Sequence, residues 1–480
     1  MNAPRVSATY SHSIHFDEGV VLVGEETSTV LEGQAIGVLL ESLNDATTLS
    51  EVFDRMSPVF SRDVVSDAID RLADGGILRF GDRAAPSPPG PLQGGLEEAW
   101  VRDQREGVVA TTHGASGLWT IVSDDYLRPA VLEANLRALE KRSPFLFLRV
   151  GWTRVWDGPY VEPGQSACGA CLVERLRLNQ PERRHIYEVV DGLCGAPGRV
   201  HPLRPSVRAD SFPALEAALG ELAERPQARA KLRNQVVVCR LDDGERRIHP
   251  IERIPHCPAC GDASWAPPGD RIDIRSRPKT AEATNGARTE LLHETRARFF
   301  GRVSPLTGLV RAVDRVAVPG CREVHVYTAN HATHWGPLTF QAARDRHRDH
   351  SGGKGWSERA ARVRARCEAV ERGRAAPRGG RHGVAAAEGV VMPNCVQRFS
   401  PTQFGSRHVW NERHGRSFHW VPDPYCRRSP ISWTRMRSLV TGSSRWVPTG
   451  LVYLGFDGPG ADYCRGDSSG LAAGNCLDAA

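Results

Sequence analysis

The chain has 480 residues, of which 40% are hydrophobic, 25% charged and 7% aromatic, and its net charge is +6. This composition excludes fibrous and intrinsically disordered proteins, and the length predicts about three globular domains. The sequence holds no uninterrupted apolar stretch of about eighteen residues, and it opens without the basic-then-apolar order of a secretory signal. We therefore expect a cytoplasmic protein with no membrane-spanning segment.

The basic excess gives little support to nucleic-acid binding. Nearly all of it is arginine, scattered through every segment instead of forming a stripe that could neutralise successive phosphates. Solvated arginine-rich surfaces explain the charge without a binding partner. We expect no nucleic acid among the partners.

Residues 1–83 are predicted to form a winged-helix-like module. Short β-like runs (SIHF, VVLVG and STVL) are separated by turn signals and followed by three helices and a closing strand, ILRF. The second helix opens with a capping box from Thr48 to Glu51. The third begins at Ser61 and has one apolar face, formed by Val64, Val65, Ala68, Ile69 and Leu72.

A linker and a second domain follow this module. Residues 84–95, AAPSPPGPLQGG, hold four prolines and three glycines and cannot form a regular element. Residues 96–265 are predicted to form an α/β domain, with a strand at GLWTIVSD and a helix from Leu127 to Arg142. The apolar run PFLFLRVGW is typical of a parallel strand that is buried on both faces.

Residues 280–480 are predicted to form a third domain. Strand-like pieces, EVHVYTA and SRWVPTGLVYLGF, alternate there with an arginine-rich helix near residues 357–372. The predicted fold class is therefore a multidomain protein of α+β and α/β parts.

Four of the twelve cysteines stand in two C-x-x-C pairs, Cys168 with Cys171 and Cys257 with Cys260. Four thiolates in two such pairs are the ligand set of a closed tetrahedral zinc site, and in a reducing compartment metal explains them better than disulfides. We predict a structural zinc ion that joins two distant segments of the second domain and leaves no position open for a substrate. The alternative is four cysteines that are merely buried.

Phosphate-binding features are unevenly distributed along the chain. The second domain lacks the glycine-rich turn between strand and helix that a nucleotide-binding fold needs, so we expect it to be a scaffold. In the third segment, residues 351–355 (SGGKG) predict an amide-rich turn with Lys354 near its centre, which suits a phosphate. A surface loop without such a role explains the same residues.

Glu368 and Glu371 lie three residues apart on the predicted arginine-rich helix and share a face, with Arg372 beside the second acid. Two carboxylates placed together repel each other unless a cation lies between them, and magnesium held by acids next to a triphosphate is a recurring arrangement. A solvated charged helix is the alternative interpretation.

Taken together, these segments resemble a known family. The winged-helix-like module is followed by a zinc domain resembling ubiquitin-activating enzymes, centred on WDGPYVEPGQSACGACLVERLRLN, and then by GGKG, CEAVER, FSPTQFGSR, ISWT, RWVP and DSSGLAAGN. This order is similar to the fused azoline-forming cyclodehydratases of thiazole/oxazole-modified microcin (TOMM) biosynthesis, which contain a YcaO domain. The resemblance covers nearly the whole chain.

The resemblance implies a division of labour in bacteriocin-like peptide biosynthesis. The first module would bind the leader of a ribosomally made precursor peptide as an extra strand at STVL, while the zinc domain positions that module. The YcaO domain would use ATP and magnesium. A Cys, Ser or Thr side chain attacks the preceding carbonyl carbon, ATP phosphorylates the oxyanion, and loss of phosphate leaves an azoline. The resemblance also allows a flavin-dependent azoline dehydrogenase and a second copy of the chain as partners, and relatives install thioamides or amidines instead.

The resemblance further implies site residues. Glu368, Glu371 and Arg372 match the family's ATP and magnesium face, Asn475 matches the start of its second ATP-binding helix, and Lys354 is a weaker match. No catalytic residue is assigned.

The chain departs from the family at three of these motifs. Arg364 stands where the family has serine, Ser469 replaces the asparagine of DSNG, and Ala479 replaces a glutamate. The second half of the family's magnesium site is missing, so we expect a truncated or degenerate copy.

Three hypotheses remain open. The first is an ATP-dependent cyclodehydratase, and the second is a non-catalytic scaffold that binds a leader peptide and zinc. The third, a zinc-dependent nucleic-acid binder, predicts retention on DNA that weakens steeply with salt.

Overall fold

The computed structural model describes residues 3–7, 9–45, 48–80, 108–113, 118–190, 197–203, 207–208, 211–255, 257–261, 275–279, 281–283, 286–300, 302–320, 323–331, 338–345, 350–375, 384–386, 407–414, 421–423, 426, 428–464, 466–468 and 470–474. The predicted linker at 84–95, most of FSPTQFGSR and the predicted site residue Asn475 lie outside these residues. The chain divides into two compact units. The first comprises residues 1–262, 304–308 and 337–348, and the second comprises the remainder.

The strands of the first unit are Arg5–Val6 (β1), Tyr10–Phe16 (β2), Gly19–Gly24 (β3), Ser28–Glu32 (β4), Leu78–Arg79 (β5), Val108–His113 (β6), Leu118–Ser123 (β7), Phe145–Val150 (β8), Arg154–Val161 (β9), Arg199–Pro202 (β10), Gln235–Arg240 (β11) and Arg246–Pro250 (β12). Its helices are Gln34–Asp45 (α1), Leu49–Met56 (α2), Arg62–Asp74 (α3), Pro129–Glu140 (α4), Gly169–Asn179 (α5), Pro181–Val190 (α6), Ser211–Glu224 (α7) and Pro226–Lys231 (α8).

The second unit begins with β13 (Ala281–Ala283), β14 (Gly286–Arg288) and α9 (Leu292–Phe300). Residues 337–348, later in the chain, belong to the first unit and contain α10 (Phe340–Asp345). The other elements of the second unit are Val310–Val316 (β15), His325–His331 (β16), His350–Gly355 (β17), Glu358–Ala375 (α11), Val384–Ala386 (β18), Arg407–His414 (α12), Ile431–Arg437 (β19), Ser444–Pro448 (β20) and Thr449–Val452 (α13).

An antiparallel sheet in the order β10-β2-β3-β4 packs against α1, α2 and α3. The predicted capping box is confirmed, because the Thr48 side chain accepts a hydrogen bond of 3.3 Å from the Glu51 N–H at the start of α2. The apolar face of α3 is confirmed at Val65, Ile69 and Leu72, which are buried. Val64 was wrongly included in that face, since it is 54% exposed.

The strand ILRF is confirmed at Leu78–Arg79, but β5 pairs with β1 and not with the main sheet. The main sheet instead receives β10, which pairs with β2. Residues far apart in the sequence therefore complete this sheet. The domain boundaries at 1–83, 96–265 and 280–480 remain predictions.

A six-stranded sheet in the order β12-β11-β9-β8-β7-β6 forms the centre of the first unit. All six residues of β8 are buried, as the run PFLFLRVGW predicts. The strand is parallel to β7 but antiparallel to β9, so the expectation of a parallel strand holds on one side only. Because successive side chains alternate between faces, Phe145 and Phe147 pack with α4 and α5, and Leu146 and Leu148 pack with α7.

In the second unit, β15, β16 and β17 form an antiparallel sheet on which α11 packs. The turn predicted at residues 351–355 is wrong, because these residues form β17 and pair with β16. Gly353 shows why a glycine stands in this strand. A Cβ atom there would lie 2.2 Å from the Ala361 carbonyl oxygen and 2.3 Å from the Ala365 nitrogen of α11. The glycine therefore serves close approach of helix and strand.

The third sheet of the second unit has the order β18-β19-β20. The strand-like run SRWVPTGLVYLGF is confirmed only as far as Pro448, where α13 begins. No helix among the residues that the structure describes is long and apolar enough to cross a membrane.

Candidate functional site

The structure brings the four predicted cysteine ligands together within the first unit. Their sulfur atoms all lie within 4.8 Å of one another. The Cys168 and Cys257 sulfurs are 3.8 Å apart, and the Cys171 and Cys260 sulfurs are 3.5 Å apart. A tetrahedral zinc ion with Zn–S bonds of about 2.3 Å requires sulfur separations of about 3.8 Å. The donor set and its spacing therefore fit zinc.

A helix start and contacts from two other segments position the first cysteine pair. Cys168 is the N-cap residue of α5, so Cys171 lies in the first turn of that helix. Asn135, fully buried on α4, accepts a hydrogen bond of 2.9 Å from the Gly169 N–H, and its amide nitrogen lies 3.9 Å from the Cys168 sulfur. The Ile254 N–H donates to the Cys171 sulfur at 3.4 Å.

The second pair sits in a tight turn that follows β12. The Gly261 N–H donates a hydrogen bond of 2.8 Å to the Cys257 carbonyl oxygen. Hydrogen bonds from the Cys168 and Cys171 thiols hold the pKa of Cys257 well below its usual range and lower the pKa of Cys260 to about 7. The same mutual hydrogen bonding raises the pKa of Cys168 and of Cys171, so the four thiols titrate as one group and not one by one.

A second candidate site lies on α11 in the other unit. One Glu368 carboxylate oxygen accepts a hydrogen bond of 3.0 Å from the Gly352 N–H of β17, and the other lies 2.6 Å from the Arg372 guanidinium. Arg372 also donates to the His350 carbonyl oxygen at 3.3 Å. Glu368 and Arg372 are therefore fixed at the edge of the sheet.

Glu371 lies beside this pair and is electrostatically different. Burial and the neighbouring Glu368 carboxylate raise the pKa of Glu371. The Ala473 backbone N–H opposes this rise in the pKa of Glu371 only in part. Two neighbouring carboxylates repel each other, and a divalent cation between them relieves this repulsion. The residues fit a magnesium ion.

Lys354 and Arg364 are placed differently from the acids. Lys354 is exposed and alternates on β17 with the buried Gly353 and Gly355, so its side chain projects from the face opposite α11. Its carbonyl oxygen accepts a hydrogen bond of 2.6 Å from the Arg364 guanidinium. The structure therefore brings Glu368, Glu371 and Arg372 together, but it does not direct the Lys354 side chain toward them.

Residues 352–480 match a family model described as YcaO cyclodehydratase, ATP- and Mg²⁺-binding. This part of the chain is therefore similar to a YcaO domain. The matched range includes Glu368, Glu371 and Arg372 of α11, which are the residues that carried the resemblance in the sequence.

Solved structures extend the likeness to the whole chain at the level of the fold. A heterocyclase in complex with substrate and cofactor is 22% identical with a TM-score of 0.64, covering 99% of this chain and 68% of that one. The heterocyclase TruD is 21% identical with a TM-score of 0.54, covering 99% of this chain and 67% of that one. No curated protein matches the chain in sequence. The mixed α+β fold therefore resembles the heterocyclases, and residues 352–480 match the YcaO family model.

Two residues that support these sites could not be found from the sequence. Asn135 lies 33 residues before Cys168, and nothing in its helical segment signals a partner near the cysteines. The Gly352 N–H contact with Glu368 depends on β17 being an edge strand that packs beside α11. Gly353 and Gly355, which lie two residues apart and so share a face of β17, are a sequence signal that could have indicated close helix packing.

Proposed function

We propose that the chain is a leader-binding, ATP-dependent cyclodehydratase that converts Cys, Ser or Thr residues of a ribosomal precursor peptide into azolines. The observation that carries the proposal is the YcaO match over residues 352–480, which contains two adjacent carboxylates on one face of α11. Bound ATP and Mg²⁺ would supply the phosphoryl group that removes the amide oxygen as phosphate.

Within this proposal, Glu368 and Glu371 would hold the magnesium ion, and Arg372 would neutralise part of the phosphate charge. The Gly352 N–H and Arg372 keep Glu368 in place before the ligand arrives, so little side-chain entropy is lost on binding. Binding a cation relieves the repulsion that raises the pKa of Glu371. Phosphoryl transfer depends mostly on such positioning and charge neutralisation.

We propose that the leader peptide pairs with β4. Among the described residues β4 is an edge strand, since its only strand neighbour is β3. An exposed edge offers unpaired N–H and C=O groups to an extended peptide. The winged-helix-like interpretation of residues 1–83 is compatible with this mode, because α1, α2 and α3 pack on the same sheet.

We also propose that the four cysteines bind structural zinc. The cluster joins the start of α5 to the turn after β12, and Cys168 and Cys171 are fully buried, which leaves no path for a substrate. A closed four-thiolate site contributes folding free energy and no catalysis.

A non-catalytic leader-binding scaffold is the second candidate. Arg364 favours it, because this residue places a guanidinium on the Lys354 carbonyl oxygen where the family has serine. A further cation at this position would weaken magnesium binding at Glu368 on the next turn of α11.

Mass spectrometry separates the two candidates. The full chain is incubated with ATP, Mg²⁺ and a precursor peptide that carries a leader and a core rich in Cys, Ser and Thr. A cyclodehydratase removes one water for each heterocycle, and the Glu371→Gln variant removes none. Leader binding in a fluorescence-anisotropy assay without any loss of water identifies the scaffold, and absence of both contradicts the proposal.

A further inference from the structure

A His–Glu–His cluster lies in the first unit. It shares no residue with the four-cysteine cluster. His15 is on β2, His201 is on β10 and Glu41 is on α1. In the antiparallel pair, His15 is opposite Arg199 and His201 is opposite Ser13. The two histidines are therefore diagonal neighbours on one face of the sheet, with ring centroids 4.6 Å apart.

The distances within this cluster suit a metal better than hydrogen bonds. The same Glu41 carboxylate oxygen lies 3.5 Å from His15 Nδ1 and 3.8 Å from His201 Nε2. Both separations exceed the usual 2.7–3.2 Å or so of an N–H···O hydrogen bond. They approach the separation of about 3.4 Å between ligands that lie about 2.1 Å from a tetrahedral zinc ion.

The contacts of the His15 and His201 ring nitrogens are also compatible with metal coordination. His15 Nε2 lies 3.0 Å from the hydroxyl of the fully buried Ser13. When Nε2 donates its proton to this oxygen, the Nδ1 lone pair faces Glu41, as in metal sites where the second ring nitrogen fixes the tautomer. His201 Nε2 is buried and has no hydrogen-bond partner in the described part of the chain.

Arg199 is a nearby cation that opposes metal binding. Its guanidinium lies 3.7 Å from the Glu41 carboxylate, but the side chain is 77% exposed. An exposed arginine can turn into solvent at little cost, because a surface ion pair contributes only about 0–1 kcal/mol. The buried His15 remains in place when Arg199 leaves.

We propose that His15, Glu41 and His201 bind a divalent transition-metal ion of the Zn²⁺ class, with water at the remaining coordination position. Two imidazoles and one carboxylate are a donor set that such ions accept. The ion would join β10 to β2 and α1, and so hold residues 199–202 in the sheet whose opposite edge is β4.

Metal analysis of the full chain, freed of any affinity tag and dialysed against excess Zn²⁺, tests this site. We expect His201→Gln and Glu41→Gln each to retain one zinc ion fewer per chain than the wild type. His12→Ala is the matched control, because it removes an imidazole from the same strand outside the cluster, and it should retain the wild-type content. Equal zinc content in the wild type and in folded His201→Gln overturns the proposal.

Arg199→Ala gives a second and opposite readout. If the metal competes with this guanidinium for Glu41, zinc affinity at the histidine site should rise severalfold in a competition titration with a chromophoric chelator. Subtracting the signal of the Arg199→Ala, His201→Gln double variant removes the contribution of the cysteine cluster. No difference between Arg199→Ala and that double variant contradicts a metal site.

Discussion

Glu371 is the residue on which the proposed nucleotide site depends most directly. Its pKa is raised by burial and by Glu368, so its carboxylate gains more than an isolated acid from a bound cation. We expect Glu371→Gln to weaken binding of Mg²⁺ and ATP at least about tenfold, which corresponds to about 1.4 kcal/mol. Isothermal titration calorimetry with Mg²⁺ and ATP measures this change in affinity. Glu358→Gln, at the exposed start of the same helix, is the control, and equal affinity in both variants would contradict the assignment.

Asn135 supports the cysteine cluster from behind. Asn135→Ala leaves the buried Gly169 N–H without an acceptor, which costs about 1–3 kcal/mol, and it frees the start of α5 to move. We expect faster zinc release to a chelator than in the wild type. Leu136→Ala, at a neighbouring position that is 47% exposed, should leave the release rate unchanged. Similar rates in all three proteins would show that Asn135 does not support the site.

His249 makes the first unit sensitive to acid. Burial, assisted by Arg247, lowers the pKa of His249 from 6.5 to about 4. The unfolded chain then takes up a proton as the pH falls below about 6.5 while the folded chain stays neutral, so stability present at neutral pH is lost down to about pH 4. The loss is of order 3 kcal/mol.

Thermal unfolding at pH 7.5 and pH 4.5 checks this behaviour. His249→Gln keeps a polar side chain beside the Ser304 hydroxyl, which His249 Nδ1 contacts at 2.9 Å, but it cannot titrate. The variant should lose less stability between the two pH values than the wild type. An equal loss would place the acid sensitivity in other groups.

At the scale of elements, the pairing of β17 with α11 decides where the acids lie. Gly353 contacts the α11 backbone, whereas a Cβ atom at Gly352 would meet nothing within 4 Å. We therefore expect Gly353→Ala to destabilise the second unit by about 1–3 kcal/mol and to disturb nucleotide binding. Gly352→Ala should change stability by less than about 1 kcal/mol. Urea unfolding measures both, and equal effects would contradict the packing.

Elements with a strong local signal were predictable from the sequence. The capping box at Thr48 and the apolar run of β8 each depend on residues close together in the chain. The turn predicted at residues 351–355 was wrong because Gly353 and Gly355, which suggest a turn, lie against α11, a helix that follows them in the chain. Local propensity cannot reveal such a tertiary requirement.

At the scale of the whole molecule, the chain order does not follow the units. The N-terminal sheet takes β10 from residues 199–202, and residues 304–308 and 337–348 return to the first unit after the second has begun. The clustering of the four cysteines was predictable, because two C-x-x-C pairs are typical of metal sites. Neither the pairing of β10 with β2 nor the partners of His15 could be predicted. Pairing between distant segments leaves no periodic signal in one sequence.

The most direct test of the proposed chemistry compares phosphate release with water loss from the precursor peptide. The full chain is incubated with the peptide, Mg²⁺ and either ATP or a non-hydrolysable analogue, and products are measured by phosphate assay and mass spectrometry. We expect one phosphate released for each water lost with ATP, and no water lost with the analogue. Phosphate release without any dehydrated peptide, or dehydration that proceeds equally with the analogue, would contradict an ATP-dependent cyclodehydratase.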